Sequence, residues 1–291
     1  MRVRIATRGS ELARWQAQRV GELLGDYELV VVHTTGDRDQ SSSLAAIGGQ
    51  GVFVKEVQAA VLRGEADVAV HSAKDLPSGQ SLLELAAVLE RADVRDALVG
   101  ADLRALARGA RVGTSAPRRQ AQLRVLRPDL DVVSIRGNVR TRLARVGELD
   151  AVVMAVAALE RLGIAEPRWW PIPEEVLCPQ AGQGAIAVEC RSDLAVAERV
   201  RALDHEGTRA EVTAERAVLA AFGAGCAIPL GVRARHVDGA LEVRAVAVAP
   251  DGSRQLEACR RGGEPEALGR EVAAALEALG ARELLAHEEG R

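Results

Sequence analysis

The chain has 291 residues, 48% of them apolar and 27% charged, with a net charge of −3 at neutral pH. That length suffices for two or three domains with sizeable cores, and the near-neutral balance gives no reason to expect a polyanion or an anionic membrane as partner. Aromatic residues make up 2%, so cores are built from Leu, Val, Ile and Ala, and stacking platforms for single-stranded nucleic acid are not expected. No apolar run approaches the roughly 20 residues of a membrane span. Met1 to Thr7 reads as a strand rather than a signal peptide, which makes the cytoplasm the expected compartment. Cys178, Cys190, Cys226 and Cys259 show no C-x-x-C spacing and no nearby His, so disulfides and metal sites are not expected.

Val3 to Thr7 is followed by a turn at Arg8-Gly9. Ser10 is the N-cap of a helix with Leu12, Trp15, Val20 and Leu23 on its apolar side. Glu28 to His33 reads as a second strand. Residues 34 to 52 are rich in Gly, Ser and Asp and lack any period. They read as a mobile loop long enough to be a lid, with Gly48, Gly49, Gln50 and Gly51 near its end. Val54, Val57 and Val61 then recur at helical spacing, and Gly64 closes that helix. With Val68 to His71 as third strand, the βαβαβ order predicts a largely parallel sheet with helices on both faces.

A second copy of this pattern follows. Arg95 to Val99 reads as a crossing strand and Arg111 to Thr114 as a strand. Pro117 suits the first turn of a helix that runs to about Arg127. Val132 to Ile135 is a strand, a helix runs from about Asn138 to Val146, and Ala151 to Val156 is another buried strand with a short helix to Leu162. Residues 165 to 184 hold four prolines and break the pattern. Ala185 to Cys190 is an apolar strand that can return to the first lobe. A chain that crosses twice between two α/β lobes describes a hinged, two-lobed binding protein. The last part changes character. Thr208 to Phe222 is helical, and Leu230 to Val237, Ala240 to Ala249 and Arg254 to Arg260 are strands punctuated by Asp238-Gly239 and Asp251-Gly252. A helix from about Glu264 to Leu279 completes an α+β domain with an antiparallel sheet.

Polar chemistry gathers at the strand ends. Lys74-Asp75 follows the third strand, where open α/β sheets bind ligands, and Pro77 and Gly79 end regular structure behind it. Of 38 Lys plus Arg only Lys55 and Lys74 are lysines. A compact ammonium is thus retained where composition elsewhere supplies the guanidinium fork. Arg8 and Ser10 follow the first strand, Ser115, Arg118 and Arg119 follow Thr114, and Arg136 and Arg142 follow Ile135. Each is a strand-to-helix turn with free backbone N–H groups and cations, a setting that binds anions. Three such turns on two lobes, placed by topology toward one cleft, suggest a ligand with several carboxylates. No phosphate loop is present, and Gly182-Gln183-Gly184 is only a fragment of a dinucleotide fingerprint. Cys190 and Cys259 read as inert packing. Cys226 follows Gly223-Ala224-Gly225, where the chain can bend toward a ligand; a reactive thiol and a plain loop cysteine both fit. His71 reads as a satisfied core or rim residue.

Together these residues resemble the hydroxymethylbilane synthase (porphobilinogen deaminase) family from end to end. The matching stretches are Arg4-Ile5-Ala6-Thr7-Arg8, Gly51-Val52-Phe53-Val54-Lys55-Glu56, Val70 to Pro77, Gly113-Thr114-Ser115, Arg118-Arg119-Gln120, Arg136-Gly137-Asn138, Thr141-Arg142-Leu143, Gly182-Gln183-Gly184-Ala185 and Gly225-Cys226. The resemblance implies an α/β fold of two periplasmic-binding-protein-like lobes plus a C-terminal α+β domain. The first lobe covers residues 1–90 and 185–203, the second 93–179, and the last domain 207–291. It implies a transferase of porphyrin biosynthesis that joins four porphobilinogen molecules head to tail into 1-hydroxymethylbilane. Ammonia is released at each step, and the chain grows on a covalent dipyrromethane cofactor. By position, Cys226 resembles the thioether attachment point and Asp75 the catalytic carboxylate. Arg8, Ser10, Lys74, Arg118, Arg119, Arg136 and Arg142 resemble the holders of acetate and propionate groups, and Ser72, Thr114, Ser115 and Arg161 join them. The Gly48-to-Gly51 loop and Phe53 are the implied shield of the site.

The family often has Ser-Leu where this chain has Ala116-Pro117, and Lys where it has Ala46 and Gln50, so a side-chain donor and two loop cations are missing. The chemistry suits the assignment: each pyrrole adds two carboxylates, and loss of ammonia leaves a cationic azafulvene that a carboxylate stabilises. No metal, nucleic acid or membrane is implied, and monomer is the default state. The rival is a non-enzymatic two-lobed anion-binding or effector-sensing protein, which leaves the third domain, Gly225-Cys226 and Lys74-Asp75 without a role.

Overall fold

Strand β1 (Val3–Arg8) runs through helix α1 (Glu11–Leu24) to β2 (Tyr27–Val32), and α2 (Lys55–Leu62) leads into β3 (Val68–Ser72). The computed structural model describes residues 2–33, 54–79, 81–223 and 228–286. Gly48, Gly49, Gln50, Gly51, Phe53 and Cys226 lie outside them. β1 pairs in parallel with both β2 and β3. β4 (Glu84–Val88) and the returning β10 (Ile186–Cys190) complete a sheet in the order β2-β1-β3-β10-β4, with β10 antiparallel to both neighbours. Period-two alternation sends Val3, Ile5, Val68 and Val70 to the α1 face and Ala6 and Ala69 to the α2 face. Both faces are therefore covered, which is why these strands read as continuous apolar runs.

Helix α1 starts where expected, with the Ser10 hydroxyl accepting from the Ala13 amide at 3.3 Å. Its buried side matches the expected one in part, with Val20 buried and Trp15 packed on the core. Gln16, Ala17, Val20, Gly21 and Leu24 face the sheet, and Leu23 is 45% exposed. Two causes combine. Gly21 admits the Tyr27 ring, which a Cβ would meet at 2.4 Å. Gln16 is drawn inward because its amide exchanges hydrogen bonds with the Ser72 hydroxyl.

The second sheet repeats the arrangement. β5 (Asp96–Val99), β6 (Arg111–Gly113), α3 (Pro117–Leu126), β7 (Asp131–Val133), α4 (Val139–Leu143), β8 (Ala151–Ala155), α5 (Val156–Arg161) and β9 (Trp169–Ile172) follow in the chain. The order is β7-β6-β8-β5-β9, with β6 parallel to β7 and β8 and β5 antiparallel to β8 and β9. The proline-rich stretch thus does contain a strand. Pro171 is tolerated because β9 is an edge. The expected strand over Val132 to Ile135 is shorter and begins at Asp131. Gly137 takes φ +107, and a Cβ there would meet the Thr141 side chain at 2.7 Å; Asn138 then caps α4 by accepting from the Thr141 amide.

Helix α6 (Ala197–Arg201) and the long α7 (Glu206–Ala221) lead to β11 (Leu230–Val237), β12 (Ala240–Val248) and β13 (Gln255–Gly262). These pair antiparallel in sequence order. The β11–β12 turn has positive φ at Asp238 and Gly239, the two-residue hairpin geometry that its sequence predicts. Helices α8 (Pro265–Ala278) and α9 (Ala281–Ala286) cover one face, burying Leu268, Val272, Leu276 and Leu284 against Leu230, Val232, Val243 and Ala245. Among the described residues no helix is long and apolar enough to cross a membrane.

The chain divides into two compact units, Met1–Ala92 with Gly184–Arg209, and Asp93–Gln183 with Ala210–Arg291. The second α/β lobe and the C-terminal sheet share the second unit. There Val246 and Val248 of β12 pack on Ala121 of α3 and on Cys178, and the Val232 amide donates to the Pro179 carbonyl at 2.9 Å. Gly231 makes the close approach: a Cβ would sit 2.7 Å from the Cys178 carbonyl oxygen and 2.8 Å from the Cys178 Cβ. Gly231→Ala should therefore destabilise the second unit by about 1–3 kcal/mol through overpacking against backbone. Urea unfolding measures this; an unchanged midpoint would show that β11 and the Cys178 segment do not need this contact.

Candidate functional site

In the first unit the parallel strand order places β1 between β2 and β3, so the carboxyl ends of β1 and β3 flank the point where the winding direction reverses. Arg8 ends β1 and Ser10 opens α1. Ser72 ends β3, and Ala73–Asp75 form a single 3₁₀ turn that carries Lys74 and Asp75, both half-buried. That turn is held by backbone. The Ala73 amide donates to the Ala185 carbonyl at 3.0 Å, and the Leu76 amide to the Ala73 carbonyl at 3.2 Å. The structure thus brings Arg8, Ser10, Ser72, Lys74 and Asp75 to one end of one sheet. Ser72 is committed to Gln16, a partner with no sequence signal because an isolated Gln on a helix reads as solvated.

Behind this turn, on the α2 side, His71 is buried, as expected. Its Nε2 lies 3.2 Å from Glu189 Oε2, within ion-pair distance. Burial pushes the Glu189 carboxyl pKa up, but His71 and Gln58, the latter donating at 2.8 Å, outweigh it and bring it below the usual value.

The second unit gathers the rest. Thr114 and Ser115 follow β6; the Thr114 carbonyl accepts from Gln120 at 2.8 Å, and the Ser115 hydroxyl donates to the Ile135 carbonyl. Ala116 supplies no side-chain cap and Pro117 occupies the first position of α3, so the donor missing from the sequence is missing from the helix start. Arg136 and Arg142 follow β7. Arg142 Nε donates to the Gly137 carbonyl at 2.8 Å, and Nη1 of Arg136 is buried with no hydrogen-bond partner among the described residues. Arg161 ends α5 after β8. Burial pulls its pKa down to about 10, against the attraction of Glu160.

Arg118 and Arg119, at the strand-to-helix turn after β6, are both buried. They are 1% and 5% exposed, and both reach Asp96, which is wholly buried at the start of β5. Arg118 Nη2 lies 2.6 Å from one Asp96 oxygen and Arg119 Nη2 2.6 Å from the other; Gln183 Nε2 donates to Asp96 Oδ1 at 2.8 Å. Arg118 Nη1 donates to the Cys178 carbonyl at 2.6 Å and Arg119 Nη1 to the Val153 carbonyl at 3.1 Å. Burial raises the Asp96 pKa, but the two guanidiniums more than offset it and hold the group well below the carboxylate range. Two cations share one anion, which leaves one surplus positive charge. Among the described residues, the Nε of each arginine is buried without a hydrogen-bond partner. Both cations also stand in the first turn of α3, where no acidic residue is present and the helix dipole already disfavours them. An incoming anion relieves all three conditions.

The remaining cysteines separate by environment. Burial pushes the Cys178 thiol up to about 12 and the Cys190 thiol up to about 11. Cys259 is exposed, contrary to the packing role expected for it: alternation along β13 turns Leu256 and Ala258 inward and Cys259 out. Burial and then Glu242 and Glu257 raise its pKa as well, which keeps it a poor nucleophile.

Comparison with known proteins gives the family. The family model described as "Porphobilinogen deaminase, dipyromethane cofactor binding domain" matches residues 3–199, and "Porphobilinogen deaminase, C-terminal domain" matches residues 209–278. The porphobilinogen deaminase of Sulfurimonas denitrificans is 42% identical over 302 residues, which cover 98% of this chain and 96% of that protein. Among solved structures, the arginine-specific periplasmic binding protein of Salmonella typhimurium aligns at a TM-score of 0.41 and 10% identity, over 72% of this chain and 93% of that one. YhfZ from Shigella flexneri aligns at 0.35 and 18%, over 74% and 93%. On its two family matches and its near full-length relative, the chain belongs to the porphobilinogen deaminase family.

Proposed function

We propose that this transferase of tetrapyrrole biosynthesis, which joins four porphobilinogen molecules head to tail with loss of ammonia, uses Asp75 as its catalytic carboxylate and Cys226 as the thioether anchor of its dipyrromethane cofactor. The strand-end cations hold the acetate and propionate groups. The observation that carries this reading is the surplus charge at Arg118, Arg119 and Asp96. Buried guanidinium N–H groups without partners are costly unless a ligand completes them, and a pyrrole with two carboxylates is such a ligand. The residues present therefore fit the dipyrromethane. When bound, that group supplies the primer on which pyrroles are added.

The chain's own residues divide the work. Arg118 and Arg119 at the start of α3, with Arg136, Arg142 and Arg161 at the neighbouring strand ends, take carboxylates in the second unit. Thr114 and Ser115 fix the turn that leads into α3. In the first unit Arg8 and Ser10 offer a cation and a capped helix N-terminus to the incoming pyrrole's side groups, and Ser72 holds the turn through Gln16. Lys74 adds a compact charge beside Asp75. The Asp75 carboxylate accepts pyrrole N–H groups and faces the carbon that turns cationic as ammonia departs, and it can carry a proton to the leaving amine. The Gly48-to-Gly51 loop and Phe53 shield the reacting groups from water.

We take the enzyme to be a cytoplasmic monomer acting on a small molecule, without nucleic acid or membrane; a net charge of −3 steers no polyanion to it. A non-enzymatic two-lobed anion-binding or effector-sensing protein would use the same turns. It is not favoured, because the family match continues through the C-terminal domain.

Asp75→Asn should fold with its cofactor and lose about 10²–10³ in kcat, the usual cost of one electrostatic stabiliser. Asp75→Glu should retain part of the rate, because the charge survives with imperfect placement. Steady-state kinetics on porphobilinogen check both, and a near-normal kcat for Asp75→Asn contradicts the assigned role.

Cys226→Ser should give folded protein that lacks the dipyrrole, shown by absence of the dipyrromethane colour with an acidic aldehyde reagent. At neutral pH a thiol reagent should leave Cys178 and Cys190 untouched in folded protein and should modify Cys226 only when the cofactor is absent. Finding Cys226 alkylated in fully active enzyme would sink the anchor assignment.

A further inference from the structure

Asp96 carries no catalytic signature in the sequence, yet among the described residues it is the acid on which Arg118 and Arg119 converge. We propose that Asp96 is a positioning residue for the reaction: it locks the two guanidiniums in one fixed arrangement and leaves the pair a single surplus charge, matched to one carboxylate of the dipyrromethane or its pyrrole precursor. This inference rests on the reading that Arg118 and Arg119 hold carboxylates.

Geometry supports a positioning role over simple neutralisation. Asp96 spends one oxygen on each arginine, at 2.6 Å in both cases, so neither guanidinium can rotate without breaking a charge-assisted hydrogen bond. The second anchor of each arginine is a backbone carbonyl, Cys178 for Arg118 and Val153 for Arg119. Each planar group is thus fixed at both Nη atoms, and its Nε has no partner among the described residues. Asp96 is itself immobilised. Gln183 donates to it and to the Val94 carbonyl, both at 2.8 Å. The adjacent Gly182 amide donates to the buried Glu215 at 2.7 Å, whose other oxygen accepts from the Ala234 amide at 2.8 Å. Helix α7 and β11 therefore brace the loop that braces Asp96. Without the acid, two like charges would lie side by side in the first turn of α3 and swing apart. Misplacement of a binding group by about 1 Å costs on the order of a hundredfold in rate.

The test uses full-length chain made in a host without porphobilinogen, so that it lacks cofactor, with folding checked by circular dichroism. Porphobilinogen is then added and the covalent gain of two pyrrole units is followed by intact mass. Asp96→Asn loses the charge and keeps only one of the two acceptor oxygens, turning an amide N–H toward the other guanidinium; it should load at least about tenfold more slowly per folded molecule than wild type, and the loaded fraction should show a raised KM for porphobilinogen. Asp96→Glu restores charge and should recover part of the loading rate. A role confined to the fold predicts a lower melting temperature for both variants with wild-type loading per folded molecule. Should Asp96→Asn not fold, Gln183→Ala, which removes one of three donors from the carboxylate, should load about two- to fivefold more slowly. Wild-type loading rates in whichever variant folds overturn the proposal. Failure of the wild-type chain to gain two pyrroles would instead overturn the reading beneath it.

Discussion

One carboxylate shared by two buried guanidiniums is the constraint on which the second unit depends. Three ions removed from water cost several kcal/mol each before any attraction is counted, and well-packed apolar residues of similar size would hold a fold as well or better. Stability therefore does not explain why Asp96, Arg118 and Arg119 lie together beneath the first turn of α3. The proposed role in holding a ligand carboxylate does. A low-dielectric setting with one positive charge in excess strengthens the pull on a carboxylate, and prior fixation of both forks removes the reorganisation that exposed arginines would need.

The rest of the unit is arranged to keep that cluster dry and rigid. β12 packs on the outer face of α3 through Val246 and Val248. β11 comes close to Cys178 only because residue 231 is Gly. The Cys178 carbonyl accepts from Arg118 and from Gln122, and Gln122 accepts in turn from the Cys178 amide at 2.7 Å. The C-terminal sheet, which carries no site residue of its own among the described residues, thus backs the segment whose Cys178 carbonyl holds Arg118. In the first unit the logic is simpler. The same winding order brings the ends of β1 and β3 together, and a single 3₁₀ turn presents a lysine and an aspartate.

Much of this was legible in the sequence. Ser10, Asn138 and Pro117 are helix-start signals that act locally, so they hold in the fold. Asp238-Gly239 specifies its own hairpin. Lys74-Asp75 could be placed because a buried strand followed by Pro77 leaves little freedom in where the turn falls. What escaped depends on partners distant in the chain. Asp96 reads as an ordinary residue at a strand edge, and only the return of Arg118, Arg119 and Gln183 from 22, 23 and 87 positions away reveals its role. Gln16 is buried and Leu23 exposed because a hydroxyl on β3 and the Tyr27 ring outweigh the helix's own apolar periodicity. Cys259 is outward because register within a pair, which composition does not carry, decides the face. β9 was hidden by Pro171, which an edge strand accepts and a central strand would not.

The intact mass of the purified enzyme under denaturing conditions tests the central claim most directly. A chain whose buried cations exist to hold a resident dipyrrole, joined through a thioether, should weigh the polypeptide plus two pyrrole units, and that gain should survive unfolding. A mass equal to the bare polypeptide in catalytically active protein would contradict the account.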